Sequence, residues 1–269
     1  MSVNHKGVRS LQDEGFYRSL NRIFAITVAV ILLITAFYCL ASVFSSFGYK
    51  QSLRALSYSN EEDKRLTVVI DAGHGGIDSG AYAGGLEEKF LCLEVAEKLA
   101  AFLSLSDVKV VMTRTDDRLL DDGLGGTRKS ADLRARVAIA QAAADASDGR
   151  CIFVSIHMNT FPLASCHGAQ VFYSPNVPES LALAKALQTA SKLADPTNSR
   201  IEKKAGSSIF ILEKLQIPAV LIECGFLTNA ADAERLSEDE GQNALAFSLF
   251  CGISDFIAST GEVEQDQSR

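Results

Sequence analysis

The sequence predicts an α/β fold: a single-domain, three-layer sandwich with a mostly parallel or mixed twisted sheet flanked by helices. Continuous apolar runs at 66–71, 151–156 and 219–222 are typical of strands that are buried on both faces. Helical patterns alternate with these runs, as they do in layered α/β proteins. The chain has 269 residues, 47% of them apolar, so it is long enough for one sizeable domain and a membrane anchor.

The elements of this domain follow one another in strand–helix order. The first strand leads through a glycine-rich loop at 73–85 into a helix at 87–103, in which apolar residues recur every fourth position. The later elements are a strand at 108–113, a loop at 116–130, a helix at 132–144, strands at 151–156 and 169–173, a helix at 179–193, a strand at 219–222 and a helix at 244–257. We therefore expect the folded domain to span 66–258 and a polar, disordered tail to occupy 259–269.

Residues 23–49 carry no charged side chain and predict a transmembrane signal anchor. A helix that crosses the hydrocarbon core needs about 20 residues, which this segment exceeds. Basic residues precede the segment, namely Lys6, Arg9, Arg18 and Arg22. The positive-inside rule then places 1–22 in the cytoplasm and the domain outside it, with 50–65 as a tether. A cleaved signal peptide is the alternative, but the length of the segment favours an uncleaved anchor.

The net charge argues against a nucleic-acid-binding function, and the cysteine spacing argues against a fold held together by several disulfides. The net charge of −7 gives no nucleic-acid-binding signature, so we expect no nucleic-acid partner. Of the six cysteines, Cys39 lies in the predicted anchor and the other five form no CxxC pair. They imply no disulfide framework, and a single bridge between two of them stays an alternative.

Four polar side chains predict a catalytic metal site. His74, His157 and Glu223 each follow an apolar run, and Glu88 opens the first helix. The carboxyl ends of such strands border one crevice, where ligands bind in open α/β sheets. Catalytic zinc usually has three protein ligands and one open position. We therefore expect His74, Glu88 and His157 to bind Zn²⁺, and Glu223 to act as the catalytic base.

The neighbours of these residues support the site but leave alternatives open. Gly73, Gly75 and Gly76 allow a tight turn beside the ion. Asp71 and Asn159 are placed to orient the imidazoles. However, Glu87 is an alternative ligand, and Glu88 has an alternative role as a structural acid at a helix N-terminus.

The other two histidines and the glycine loop are assigned no chemistry. His5 precedes the anchor, and His167 follows Cys166 in a loop, where we expect a surface residue. The loop Gly73-His74-Gly75-Gly76-Ile77-Asp78 does not match a phosphate-binding fingerprint, because Asp78 replaces the third glycine and no GK[ST] follows.

Six sequence blocks occur in order between residues 66 and 258. They are VIDAGHGG at 69–76, LEEK at 86–89, VMTR at 111–114, LRARV at 133–137, SIHMN at 155–159 and PAVLIECGFLTN at 218–229. This ordered set resembles the zinc-dependent N-acetylmuramoyl-L-alanine amidase family, which trims bacterial peptidoglycan. Departures from the family pattern, such as Ala72 in place of proline, do not affect the expected ligands.

The resemblance implies an activity and roles for individual residues. Family members cleave the amide between N-acetylmuramic acid and the L-alanine of the stem peptide. The matched blocks imply that His74, Glu88 and His157 bind zinc, which favours Glu88 over Glu87, and that Glu223 is catalytic. Two rival functions remain: a non-catalytic wall-binding or scaffold protein with an amidase fold, and a zinc peptidase that acts within the stem peptide.

Within the family, three further segments resemble the germination-specific spore-cortex amidases. They are 127–134, 168–173 and 198–204. This resemblance implies a role in forming muramic-δ-lactam in the spore cortex, and it implies a lipoprotein as activating partner, as in some spore formers. It also implies that the domain works outside the cytoplasm, on the cell-wall or cortex side.

Overall fold

The computed structural model describes Thr35 and residues 65–266, with residues 261–266 described by backbone alone. The strands are β1 (Leu66–Ala72), β2 (Tyr82–Ala83), β3 (Leu86–Glu87), β4 (Val108–Met112), β5 (Cys151–Asn159), β6 (Gln170–Tyr173), β7 (Lys203–Lys204) and β8 (Ala219–Phe226). The helices are α1 (Glu88–Leu103), α2 (Arg128–Asp145), α3 (Glu179–Ala190), α4 (Phe210–Lys214), α5 (Ala230–Ser237) and α6 (Asp239–Asp266), and a 3-10 turn covers Ser191–Leu193.

Six strands form one mixed sheet in the order β4-β1-β5-β8-β6-β7. The first four are mutually parallel, and β6 runs antiparallel to β8. From β1 the chain passes to β4 on one side and then returns to β5 on the other. The strand order therefore reverses between β1 and β5, and a crevice opens at their carboxyl ends.

Helices cover both faces of the sheet, which confirms the predicted three-layer α/β architecture. On one face α1, α3 and α6 pack against a core that includes Val68, Val154 and Ile222. On the other face α2 and α4 pack against Val69 and Phe153. The alternation of adjacent residues between the two cores explains why the strands are continuously apolar in sequence.

The last helix is longer than the sequence predicts. We expected a helix at 244–257 and a polar tail from 259, but α6 continues to Asp266. Polar residues extend an existing helix readily because its costly first turn has already formed. The stretch Asp239–Thr260 is long and apolar enough to cross a membrane. We interpret it as a core helix because Leu245, Leu249 and Ile253 are buried against the domain.

Several features lie beyond the predicted elements. The sequence does not predict the helix α5, the two-residue strands β2 and β3 or the edge strand β7, because none of them contains a continuous apolar run. The predicted anchor at 23–49 lies outside the described residues except for Thr35, so it stays a prediction. The described cysteines, which exclude Cys39, are free thiols.

A buried ion-pair network joins β1 to α2. The carboxylate of Asp71, which is fully buried, accepts hydrogen bonds from Arg136 (2.6 Å), Thr113 (2.7 Å) and Ser155 (2.6 Å). Arg136 also pairs with Asp132 at 2.8 Å. Every charge in this network is therefore compensated by an opposite charge or a hydrogen bond.

Two buried arginines hold the backbone at the end of β1. Arg136 donates to the carbonyls of Ala72 and His74, each at 2.6 Å. Arg114 donates to the carbonyls of Ala72 (2.9 Å), Gly73 (2.7 Å) and Lys89 (2.7 Å). The loop that follows β1 is therefore fixed by charge-assisted hydrogen bonds.

We predict that Arg136→Leu lowers the free energy of unfolding by about 3–5 kcal/mol, because it leaves Asp71 and Asp132 as buried, uncompensated charges. The matched control is Arg118→Leu, whose guanidinium forms an exposed ion pair with Asp116. We expect this change to cost less than about 1 kcal/mol. Urea unfolding followed by circular dichroism measures both, and equal losses in the two variants would contradict the assigned role of the network.

Candidate metal centre and active site

Three of the predicted site residues converge at the crevice between β1 and β5. Nε2 of His74 lies 3.1 Å from Oε1 of Glu88, and Nδ1 of His157 lies 2.9 Å from the same oxygen. The two imidazole rings are edge to face, with centroids 4.9 Å apart. One donor atom from each of the three side chains lies within 4.8 Å of the others.

This donor set fits a tetrahedral metal ion. Ligand atoms about 2.0–2.1 Å from zinc lie about 3.3 Å from one another in a tetrahedron. The donor separations of 3.1 and 2.9 Å are close to that value. Two imidazoles and one carboxylate are also the ligands of several catalytic zinc sites. His74, Glu88 and His157 could therefore hold zinc, and their role as ligands stays a prediction.

Glu88 is fixed by its place at the start of α1. Its Oε2 accepts the N–H of Ala81 at 2.7 Å, and its Oε1 accepts the N–H of Met158 at 2.9 Å. Burial raises the pKa of Glu88, but the two facing imidazoles more than offset this effect and hold the pKa well below its usual value. Glu88 is therefore an ionised carboxylate aimed at both histidines. Glu87 is half-exposed and lies instead 3.7 Å from Nζ of Lys89.

His74 adopts a left-handed backbone conformation with φ of +60°. This conformation is uncommon outside glycine, and the hydrogen bond from Arg136 to the carbonyl of His74 stabilises it here. Oδ2 of Asp78 lies 3.1 Å from Nδ1 of His74, on the ring side opposite Glu88. Burial lowers the pKa of His74, but Glu88 and Asp78 outweigh it, and the net shift is upward.

Two glycines leave the space that these side chains occupy. A Cβ atom at Gly73 would lie 2.6 Å from Nε2 of His157. A Cβ atom at Gly80, where φ is +66°, would lie 2.5 Å from Oε2 of Glu88 and 2.7 Å from Cδ2 of His74. The glycines of this loop therefore allow the backbone to turn and also allow His74, Glu88 and His157 to pack closely against it.

Glu223 stands beside the donor set. It lies opposite His157 in the β5–β8 register and lines the same cavity. Its Oε2 is buried and accepts no hydrogen bond among the described residues. Burial raises the pKa of Glu223 to about 7, and the imidazole of His157 opposes that shift. A carboxyl group poised near neutrality is suited to accept and release a proton.

The four side chains open into a cavity of about 380 Å³. One wall comes from α2, which contributes Lys129, Leu133 and Arg136, and the other comes from residues 208–211 before and within α4. The cavity is large enough to hold part of a small peptide or sugar.

The structure corrects two expectations about the residues around the site. Asp71 forms no hydrogen bond to either imidazole, because its oxygens accept hydrogen bonds from Arg136, Thr113 and Ser155. Asn159 lines the cavity, but within residues 65–260 its side chain forms no hydrogen bond to His74 or His157. The acid that faces Nδ1 of His74 is Asp78, four residues further along the same loop.

A second group of possible metal ligands lies away from this site. His167, which is half-exposed, lies 3.8 Å from Asp195 and near Asp232. Arg235 pairs with Asp232 at 2.6 Å, and the other oxygen of Asp232 accepts two backbone N–H groups. Oδ1 of Asp195 accepts two hydrogen bonds from Thr197, and Nη2 of Arg235 lies 3.5 Å from its Oδ2. Arg235 thus offsets the charge of both carboxylates, and we assign no metal there. His5 lies outside the described residues.

The fold and the site together define an α/β protein with a hydrolase-type donor set at the carboxyl edge of its sheet. The chain belongs to the N-acetylmuramoyl-L-alanine amidase family, whose model matches residues 68–255. The predicted family membership and the peptidoglycan amidase function that it implies are thereby confirmed.

Similar proteins include members with known names and structures. The germination-specific N-acetylmuramoyl-L-alanine amidase of Bacillus subtilis is 33% identical over 198 residues, which cover 72% of this chain and 81% of that protein. The CwlD amidase of Clostridioides difficile, solved in complex with the GerS lipoprotein, is 33% identical with a TM-score of 0.66, covering 72% of this chain and all of that one. AmiC2 of Nostoc punctiforme is 33% identical with a TM-score of 0.61, covering 72% and 97%.

We predict that Gly73→Ala weakens zinc binding about tenfold or more, because the new methyl group displaces the ring of His157. Gly206→Ala is the control, since a Cβ atom there meets only Oγ of Ser208 at 3.8 Å. Competition with a chromophoric chelator measures both affinities. An unchanged affinity in Gly73→Ala would mean that His157 does not contribute a ligand.

We also predict a pH-dependent effect of Glu223→Gln on the stability of the metal-free protein. With a pKa of about 7 in the folded state, Glu223 keeps its proton at pH values where the unfolded chain has lost it. Its contribution to stability is therefore complete below pH 4.5 and disappears as the pH rises through 7. Relative to wild type, Glu223→Gln should gain about 1–3 kcal/mol in unfolding free energy between pH 5 and pH 8.

Chemical unfolding at the two pH values measures this difference after the metal is removed with a chelator. Glu97→Gln, on the exposed face of α1, controls for the general loss of one negative charge. A difference between Glu223→Gln and wild type that stays constant with pH would contradict a raised pKa.

Proposed function

We propose that this chain is a zinc-dependent N-acetylmuramoyl-L-alanine amidase that cleaves the amide between N-acetylmuramic acid and the L-alanine of the stem peptide. The observation that carries the proposal is the His74–Glu88–His157 donor set with the unpartnered carboxyl group of Glu223 beside it. The family match supports the amidase activity. Three donors plus a free acid suit a catalytic site, whereas a structural zinc site would have four closed ligands.

In this proposal each side chain has one role. His74, Glu88 and His157 hold the ion, which when bound supplies Lewis-acid chemistry that polarises the scissile carbonyl. Glu223 accepts a proton from the attacking water at Oε2 and passes it to the nitrogen of the leaving L-alanine. Asp78 fixes the ring orientation of His74 through its contact at Nδ1.

We further propose that the domain acts outside the cytoplasm on a membrane anchor. The proposed arrangement is a cytoplasmic segment at 1–22, a transmembrane anchor at 23–49, a tether at 50–65 and the catalytic domain at 66–258. The uncharged length of 23–49 and the basic residues before it support the arrangement. Peptidoglycan lies on that side of the membrane, so the proposed location and the proposed substrate agree.

A role in the spore cortex is the biological setting that we propose. It rests on the similarity to the germination-specific amidase of Bacillus subtilis. The similar CwlD amidase was solved in complex with a lipoprotein, so we propose a lipoprotein as partner of this chain as well. The reaction in that setting would remove stem peptides before muramic-δ-lactam forms.

The test is mass spectrometry of purified peptidoglycan after incubation with the zinc-loaded, full-length protein. We expect free stem peptides that begin with L-alanine. Glu223→Gln should retain zinc but lose activity by about 10²–10⁴-fold, because it removes the general base. Glu88→Gln should lose both zinc and activity, whereas Glu87→Gln, one residue away, should retain both.

The alternatives predict other products. Cleavage within the stem peptide would assign the protein to the zinc peptidases. Binding to peptidoglycan without release of peptide, both alone and with a lipoprotein partner, would favour a wall-binding scaffold. Equal activity in Glu87→Gln and Glu88→Gln would contradict the proposed ligand set.

A further inference from the structure

Among the residues that the structure describes, Lys129 is the cation with free hydrogen-bond donors in the active-site cavity. It lies in the first turn of α2, lines the cavity and exposes 69% of its side chain. Its nearest described partner is Oδ2 of Asp78, which lies 3.7 Å from Nζ, beyond hydrogen-bond distance. The ammonium group therefore has three donors available to a ligand.

The other cation that lines the cavity, Arg136, has no such capacity. Its guanidinium donates to Asp71, Asp132 and the carbonyls of Ala72 and His74. These five hydrogen bonds use all five N–H groups that an arginine offers. Lys129 is thus the free cationic partner for an anionic substrate group among the described residues that line the cavity.

Nζ of Lys129 lies at a distance from the donor set that a carboxylate near the start of the stem peptide can span. Asp78 contacts both Nζ of Lys129 and Nδ1 of His74, so the ammonium group lies close to the donor set. An extended peptide advances about 3.5 Å per residue. A carboxylate one or two residues beyond the scissile amide would therefore reach Lys129 while the amide lies beside His74 and Glu223.

We propose that Lys129 selects stem peptides that carry a free carboxylate next to the L-alanine, over peptides in which that carboxylate is amidated. This inference rests on the proposed amidase function. Of the other acids that line the cavity, Asp71 and Asp132 are compensated by Arg136, and Glu88 would be compensated by the bound metal. Asp78, beside Lys129, would repel such a carboxylate, and the positive charge of Lys129 opposes that repulsion.

The test compares synthetic muramyl peptides that differ by one group. The second residue carries either a free or an amidated carboxylate, and so does the third residue in a parallel pair, which identifies the carboxylate that is bound. The zinc-loaded, full-length wild type is compared with Lys129→Met and Lys129→Arg. Lys185→Met is the matched control, because Lys185 is exposed on α3, on the other face of the sheet.

We expect Lys129→Met to lower kcat/KM about threefold to tenfold on the acidic peptide, mainly through KM, and less than twofold on its amidated form. Lys129→Arg should retain activity within about twofold, and Lys185→Met should match wild type. An unchanged zinc affinity in Lys129→Met is part of the expected result.

Two results would overturn the inference alone. One is an equal loss on acidic and amidated peptides, which would mean that Lys129 acts through Asp78 and His74. The other is wild-type activity in Lys129→Met on every substrate. A wild-type protein that cleaves none of the muramyl peptides, alone or with a lipoprotein partner, would overturn the proposed function and this inference with it.

Discussion

The buried ion pair between Asp71 and Arg136 is the interaction on which the site depends. A lone carboxylate in this position would be costly, because β1 is covered on both faces. Arg136 compensates that charge and, with the same guanidinium, fixes the carbonyl of His74 in its left-handed conformation. One side chain therefore joins the centre of the sheet, the helix α2 and a predicted metal ligand. The position of His74 follows from the packing of α2 and does not depend on the loop alone.

Two glutamates in one cavity have pKa values that their surroundings shift in opposite directions. Glu88 accepts two backbone N–H groups and faces two imidazoles, so its charge is stabilised. Oε2 of Glu223 is buried and accepts no hydrogen bond from the residues that the structure describes, and the pKa of this group rises to about 7 through desolvation. A bound dication would lower the pKa of Glu223, because its charge favours the carboxylate. The same residue type thus serves as a fixed anion in one position and as an exchangeable proton acceptor in the other.

Much of this arrangement could be predicted from the sequence, for a physical reason. Strands buried on both faces are continuously apolar, so the polar residues that end them stand out, and His74, His157 and Glu223 were found in this way. The ion pair between Asp71 and Arg136 could not be predicted in this way. The two residues lie 65 positions apart in the sequence and come together only when α2 packs against the sheet. The role of Asp78 was missed because it depends on the left-handed turn at His74, which the sequence does not specify.

The direction of β1 separates the start of the domain from the site. Leu66 is the first residue of β1, whereas His74 follows its last residue, Ala72. A strand rises about 3.3 Å per residue, so these two points lie at opposite ends of the sheet, about 20 Å apart. The crevice therefore opens at the carboxyl end of the sheet, away from the residue at which β1 begins.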